Sequence, residues 1–438
     1  MKVGLYINDN SDAKFSKIDL SSPQFGNPGI GGTEYEFVLL AYALAAFSDA
    51  EVNFYHCNEN KLPEGVNNWI VRDNAELLRM VKEHGNDVLV LRAMDYPALF
   101  DLYDLIRNSY IKCIAWSHNW LPDELMYDLY GNEAIKRIVM VSREHYDYYI
   151  NIEPIRKSTY IFNMFDGRPY RLRDLPAEPA VTYTGGLYKS KSFHVFASMW
   201  KDILREVPDA KLYVVGSGKL YDHNAELGSL GVADKECEDM FAEYLMENGK
   251  LMPSVKFLGN MGQEKAEIYY KTTVGVANFT PETFCISAVE LEACGVPLVN
   301  MAWGGVLNTV KHNETGLLAK NNSELKEYII FLLKDRELNI KLGRQAKEFA
   351  DEAFLPENIV KQWLNLFDDV ILDRPCTYIK PEENFGNSFK WFKVIDHWLM
   401  DHHLSLRYRR IKSLLKVRIK KNFPAVFSML KKILKRGK

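Results

Sequence analysis

The chain has 438 residues, 47% of them hydrophobic and 26% charged, with a net charge of −3. This is the ordinary balance of a globular protein, and at roughly 100–200 residues per domain the length suggests two or three domains. A chain of this size buries large cores, which excludes any need for disulfide or metal staples, and no run reaches the roughly 18 uninterrupted apolar residues of a membrane span. The opening MKVGLYINDN is too short an apolar run for a signal peptide and reads as a first buried strand.

Further strands are expected at Val52–His56, Asp87–Leu91, Ile111–Trp116, Ile138–Ser142 and Thr159–Asn163, with helical patterns such as Thr33–Phe47, Ala75–Glu83 and Arg143–Ile150 between them. Apolar strands separated by amphipathic helices predict a parallel sheet covered on both faces. The Pro- and Arg-rich stretch 166–179 breaks the pattern and reads as a linker after a first domain, 1–165. The alternation restarts in 180–355: strands at Val181–Thr184, Lys211–Gly216, Val255–Gly259, Val274–Phe279, Pro297–Met301 and Gly316–Ala319, and helices at Phe193–Val207, Glu238–Glu247, Glu264–Lys271 and Ile286–Cys294. Helices near Ser323–Leu333 and Glu337–Ala353 follow, and one over Glu357–Leu372 lies in a segment, 356–373, expected to return toward the first domain. The fold class is therefore α/β, two Rossmann-like doubly wound domains. Ligands of such sheets bind beyond the carboxyl ends of the strands, so the cleft between the domains is the expected site.

Six cysteines, at 57, 113, 237, 285, 294 and 376, form no C-x-x-C pair and no metal-like spacing. They read as thiols of a reduced, cytoplasmic protein. Charge is unevenly placed. Residues 402–438 hold 13 Lys and Arg and no acid, leaving 42 basic against 58 acidic residues, net −16, in the rest.

The densest chemistry lies in NFTPETFCISAVELEACGVP, residues 278–297. A strand ends near Phe279, a Thr-Pro turn follows, and a helix starts near Cys285 and stops at Gly295, where a left-handed residue suits a helix end. The free amides around Phe284, Cys285 and Ile286 make an anion site. Glu282 precedes the helix and Glu290 lies inside it, and a carboxylate suits paired sugar hydroxyls because two oxygens meet two O–H groups. Taken singly, Glu282 is also explained as an acid near a helix start and Glu290 as a solvated residue. Glu290, however, sits in the apolar stretch Ile286–Cys294, where an acid is rare without a partner.

With Phe284, Glu292, Gly295 and Pro297 in register, the segment resembles the E-x7-E motif of retaining glycosyltransferases of the GT-B fold, especially the family 4 group, glycosyl transferases group 1. Cys285 stands where that pattern has Gly. The resemblance implies that Glu290 binds the nucleotide ribose, that Glu282 contacts the transferred sugar, and that the amides of Phe284, Cys285 and Ile286 face sugar and diphosphate. Gly31 and Gly32, in Gly29-Ile-Gly31-Gly32-Thr33-Glu34, resemble the family's N-domain glycine loop. His118, in Trp116-Ser-His118-Asn, matches a strand-end histidine that contacts the donor sugar. Gly185, Gly186 and Lys191, in TYTGGLYKSKSF, match the family's G-R-L-x-x-x-K-G segment, with Lys191 as the diphosphate lysine and Gly186 in place of the arginine. Lys189 is a candidate to stand in for the missing cation, and ordinary surface charge is the alternative reading of both lysines. Gly216 and Gly218 match a G-x-G loop, and Trp303-Gly-Gly305 with Glu314-Thr-Gly316-Leu-Leu318 match later family segments. The resemblance covers roughly residues 1–372.

It implies transfer of a sugar from a nucleotide-diphosphate sugar, UDP- or GDP-linked, to a glycan or lipid-linked acceptor with retention, in surface polysaccharide or glycolipid synthesis. No further cofactor and no metal site are expected: Lys191, a helix start and loop amides answer the charge of the leaving diphosphate. The extension 374–438 carries aromatics (Phe389, Trp391, Phe392, Trp398) and then a basic helical pattern broken by Pro424. Its apolar interleaving points to an anionic membrane surface through 402–438, hence a peripheral position on the cytoplasmic inner face, ahead of a solvated helix pair and of nucleic acid, which is not expected. The alternative function is a non-catalytic GT-B scaffold at the membrane, motivated by Gly186. A GT-B epimerase or phosphorylase is a further rival.

Overall fold

The computed structural model describes residues 1–8, 18–174, 176, 178–218, 226–277, 279–387 and 390–402. The first sheet has seven strands: β1 (Lys2–Tyr6), β2 (Glu51–His56), β3 (Val66–Ile70), β4 (Val88–Ala93), β5 (Cys113–Ser117), β6 (Ile135–Met140) and β7 (Ser158–Tyr160). All run parallel, in the order β3-β2-β1-β4-β5-β6-β7. Helices α1 (Gly32–Phe47), α2 (Asn74–Glu83), α3 (Pro97–Ile106), α4 (Asp123–Tyr130) and α5 (Arg143–Tyr148) connect them. The central strands are almost wholly buried, as parallel strands covered on both faces must be.

The second sheet repeats the plan with β8 (Ala180–Thr184), β9 (Lys211–Val215), β12 (Val255–Gly259), β13 (Val274–Ala277), β14 (Leu298–Met301) and β15 (Gly316–Ala319), again parallel, in the order β12-β9-β8-β13-β14-β15. A two-residue hairpin pair, β10 (Met246–Glu247) and β11 (Lys250–Leu251), stands apart. The helices are α6 (Phe193–Ala197), α7 (Trp200–Glu206), α8 (Lys235–Leu245), α9 (Ala266–Tyr269), α10 (Ile286–Ala293), α11 (Val306–Thr309), α12 (Asn322–Lys334) and α13 (Arg336–Glu352). After them, α14 (Pro356–Ile371) reaches the first domain: Trp363 packs edge-on against Trp116 of β5, ring centroids 4.8 Å apart. One apolar core runs through α1, α10 and α14 and joins the domains, while two others fill the second domain and the far face of the first.

Three elements depart from expectation. Strand β3 was not read from sequence because Val66–Ile70 is half polar. It is an edge strand, and side-chain bonds hold it: Asn67 and Trp69 both donate to Asn53 Oδ1 (3.2 and 2.8 Å), and Asn68 donates to the Asn60 carbonyl (2.7 Å). The helix expected over 193–207 splits at Ser198, whose hydroxyl bonds back to the Val195 carbonyl at 2.8 Å and competes with the helical ladder. The helix expected over 264–271 is a single 3-10 turn, Gln263–Lys265, followed by the four-residue α9.

Beyond α14 the chain straps across both domains. Lys112 Nζ donates to the Ile371 carbonyl and pairs with Asp373 at 2.5 Å, and Arg137 donates to the Arg374 carbonyl at 2.5 Å. Phe385 stacks on His312 of the second domain at 3.8 Å while neighbouring Asn384 donates to Glu144 of the first at 2.5 Å. The strap ends in α15 (Lys390–Asp401). The basic segment expected to meet a membrane lies, from 403 onward, outside the described residues.

Candidate functional site

The carboxyl ends of both sheets face one cleft, and each contributes a loop. From the first domain, Asn27 folds the glycine loop: its Oδ1 accepts from the amides of Gly29 and Ile30 at 2.8 and 2.9 Å, and its Nδ2 donates to the Ile30 carbonyl at 2.9 Å. Gly32 then opens α1 and lines the cleft. Gly31 is the N-cap of α1 and is not among the lining residues.

His118 follows the end of β5 and lines the cleft. Its imidazole packs against Trp116 (4.4 Å between centroids), and both ring nitrogens are buried without a hydrogen-bond partner among the described residues. Burial, with smaller contributions from Arg92 and His145, holds it well below its usual pKa. The ring is therefore neutral, with one N–H donor and one acceptor to offer a ligand.

From the second domain, Thr184 ends β8 and Gly185 and Gly186 follow it into the cleft. Gly216 follows β9 at φ +139°, and a Cβ there would lie 1.9 Å from the Gly185 carbonyl oxygen. Only glycine lets these two loops touch. Gly218 lies off the cleft, and its close neighbour is Ala233 of the α8 approach, so its role is packing. At Gly186 a Cβ would meet the ring of Tyr188 at 2.6 Å, and Tyr188 itself lines the cleft. The place of the family's arginine is thus covered by an aromatic ring. Lys189 does not replace it, because it is exposed, pairs with Glu236 and is absent from the lining.

Glu282, Phe284, Cys285 and Ile286 line the cleft together, and Glu290 lies one helical turn further in. The loop before α10 is fastened to the first domain from two sides. Thr283 Oγ1 donates to the His118 carbonyl (2.6 Å), Ser142 Oγ donates to the Thr283 carbonyl (2.5 Å), and Trp120 Nε1 donates to the Pro281 carbonyl (2.8 Å). Cys285 holds φ +78°, ψ 65°, the left-handed region in which a glycine is unstrained, and so accounts for the glycine of the family pattern. Helix α10 ends at Ala293 and is capped by Cys294, with Gly295 at φ +74° donating to the Glu292 carbonyl, the predicted stop.

Two ion pairs organise the second domain's half of the cleft. Lys191 Nζ lies 2.5 Å from Glu282 Oε1, joining two residues singled out in sequence. Lys265 Nζ lies 2.6 Å from Glu290 Oε1, with side chains 10% and 3% exposed. Lys265 was missed: it sits in a segment read only as helix, and no motif marks it. Asn119, Asn163, Tyr188, Asn260 and Ser287 also line the cleft; Asn119, Asn163 and Asn260 follow closely on the ends of β5, β7 and β12, and Ser287 lies in the first turn of α10. Among the described residues no group of three or more His, Cys, Asp or Glu is placed to hold a metal ion. The site can therefore offer two lysine ammoniums, a helix start, close backbone amides and two carboxylates to a ligand with an anionic middle and hydroxyl-bearing ends.

Residues 174–349 match the family model described as Glycosyl transferases group 1. The chain is 26% identical over 234 residues to the N-acetyl-alpha-D-glucosaminyl L-malate synthase of Bacillus anthracis, an alignment spanning 51% of this chain and only 56% of that relative. Among solved structures, the sucrose-phosphate synthase of Thermosynechococcus elongatus superposes with a TM-score of 0.66 at 17% identity, covering 85% of this chain and 99% of the other. The Anabaena protein HepE, in complex with UDP-glucose, superposes with a TM-score of 0.62 at 17% identity, covering 84% and 100%. The fold is GT-B: two parallel-sheet Rossmann-like domains with a helical C-terminal region.

Proposed function

We propose that this chain is a glycosyltransferase that moves a sugar from a nucleotide-diphosphate sugar to a glycan or lipid-linked acceptor with retention of anomeric configuration. The observation that carries the reading is the convergence of His118, Lys191, Glu282 and Glu290, from three separate segments, on one cleft between the two sheets. Glu290, deepest of the four, takes the ribose hydroxyls. Lys191 and the start of α10 hold the diphosphate, and Glu282 and His118 hold the transferred sugar. HepE, the neighbour solved with UDP-glucose, supports a nucleotide-sugar donor, UDP- or GDP-linked.

As the bond to the anomeric carbon breaks, negative charge grows on the leaving diphosphate and positive charge on the sugar ring. Preorganised donors aimed at the first lower the barrier most. Lys191 is one such donor, and Lys265 supplies the second cation of the site where Gly186 stands for an arginine. These charges take the part a divalent cation would play. Donor binding draws Lys191 onto the phosphates, and the released Glu282 carboxylate turns to sugar hydroxyls and the cationic ring. The acceptor attacks from the face the diphosphate leaves, and a departing phosphate oxygen takes the acceptor proton. Retention, family 4 membership and a role in surface polysaccharide or glycolipid synthesis belong to this proposal, as does a peripheral place on the cytoplasmic face of a membrane through 402–438.

The test is calorimetric titration with UDP-, GDP-, ADP- and dTDP-sugars, with Glu290→Ala as control. A micromolar donor lost in the variant supports the reading and names the nucleotide. Absence of binding to all of them transfers the weight to a non-catalytic scaffold, for which the covered position at Gly186 is the structural reason.

A further inference from the structure

Helix α15 is amphipathic in the wrong sense for a helix packed on a protein. A docked helix ordinarily buries its apolar stripe and shows its charges to water. Here the side facing the protein is largely polar, with Lys390, His397 and Met400 buried and Lys393 and Asp396 half-buried. Lys390, 1% exposed, pairs with Glu144 and with Asp147 (2.9 Å), both on α5. Lys393 donates to the Asp147 carbonyl (2.6 Å), His397 Nδ1 meets the Ile150 carbonyl (2.8 Å), and Asp396 accepts from Asn151 (2.9 Å). The opposite side carries Trp391, Phe392, Ile395 and Trp398, each 46–54% exposed. At about 100° per residue these four share one stripe, and Trp391 and Phe392 stack at 3.7 Å.

We infer that this outward aromatic face of α15 is a docking surface for an anionic lipid bilayer. Tryptophan and phenylalanine suit the bilayer interface, where a large apolar ring and a polar edge are both accommodated. Charge selects the occupant. The chain leaves α15 directly into residues 403–438, which hold 13 Lys and Arg and no acid, and basic residues beside such a face are drawn to anionic lipid. The buried ion pairs fix α15 to α5, so the face is presented in a set direction. The same helix α5 carries Tyr148, against which Trp120 packs at 5.0 Å, and Trp120 donates to the Pro281 carbonyl beside Glu282. Docking through α15 therefore keeps the rim of the donor cleft close to the bilayer, where a lipid-linked acceptor resides. This last step rests on the proposed transferase reading, whereas the docking itself does not. It also deepens the membrane association proposed from residues 402–438 by naming a folded element as its apolar half.

The experiment uses the full chain and sedimentation with vesicles of phosphatidylcholine and phosphatidylglycerol, beside phosphatidylcholine alone. The triple variant Trp391→Ser, Phe392→Ser, Trp398→Ser alters only exposed side chains, and its circular dichroism and Tm establish that it is folded. The wild type is expected to sediment preferentially with the anionic vesicles, with its tryptophan emission quenched by brominated lipid. The variant is expected to lose partition by roughly tenfold or more. Equal sedimentation of both proteins would assign binding to the basic segment alone and overturn the proposal. So would a wild type that stays in the supernatant, or one that forms a dimer which the substitutions dissociate, since the occupant would then be a second copy. Calorimetric donor binding, measured without vesicles, keeps failure of the docking distinct from failure of the transferase reading.

Discussion

Lys265 Nζ and Glu290 Oε1 lie 2.6 Å apart, buried at the inner end of the cleft, and both side chains line it. The charge of Glu290 is felt by Tyr35, Tyr170, Tyr269 and Cys294, each of which it pushes up. Removing one partner of such a pair leaves an uncompensated buried charge. Lys265→Met is expected to destabilise the fold by about 3–5 kcal/mol. The double variant Lys265→Met, Glu290→Gln, which removes both charges, is expected to recover most of that loss. Urea denaturation checks both. An additive double variant would show that the pair is not coupled.

The outer pair predicts a division of labour. Glu282→Ala is expected to lower kcat by roughly 10²- to 10³-fold, the scale of a lost transition-state contact, while changing nucleotide affinity little. Glu290→Ala is expected to do the reverse and weaken nucleotide binding above all. Steady-state kinetics beside calorimetry separates the two. Wild-type behaviour in both variants would remove the site assignment.

Cys285 is buried yet left-handed, at φ +78°. Cys285→Gly relieves backbone strain while losing a small apolar side chain, and these terms are of similar size, about 1 kcal/mol each. The variant is expected to keep near-wild-type stability. Cys285→Val, with a β-branched residue at positive φ, is expected to be clearly destabilised, and with it the start of α10 and donor binding. A thermal melt of the two variants gives the comparison.

His145 gives a pH signature. Burial pushes its imidazole down to about 3, against a bond with the Asn119 backbone that raises it. The unfolded chain binds that proton near pH 6.5 and the folded chain does not, so the penalty is absent above about pH 6.5 and grows as pH falls toward 3. At pH 5 it amounts to about 2 kcal/mol. His118 acts in the same sense. Buried Glu36 and Glu292, whose carboxyls are raised, act in the opposite one, with stability lost as pH rises through their folded values. The informative quantity is therefore a difference: the gap between wild type and His145→Asn should shift in the variant's favour by about 2 kcal/mol between pH 7.5 and pH 5. A constant gap would show that His145 is not held neutral.

The sequence by itself determined the two parallel sheets, because strands buried on both faces must be apolar throughout and so announce themselves without tertiary information. It also determined the loop and helix around Glu282 and Glu290, whose signals are local: a turn, an acid, a helix, a glycine stop at Gly295. Strand β3 escaped because asparagine side chains rather than apolar burial hold it. What the tertiary structure alone decided is which residues meet. His118 is joined to Thr283 across 165 positions, Lys265 rather than Lys189 reaches the cleft, and Gly218 turns away from it. Parallel sheets gather their carboxyl-end loops from distant parts of the chain, and neither periodicity nor spacing encodes how those loops approach one another. The same holds for α15. Its amphipathic pattern is plain in sequence, but which face is buried depends on Glu144 and Asp147 of α5, two buried acids that draw in Lys390 and leave the tryptophans outside.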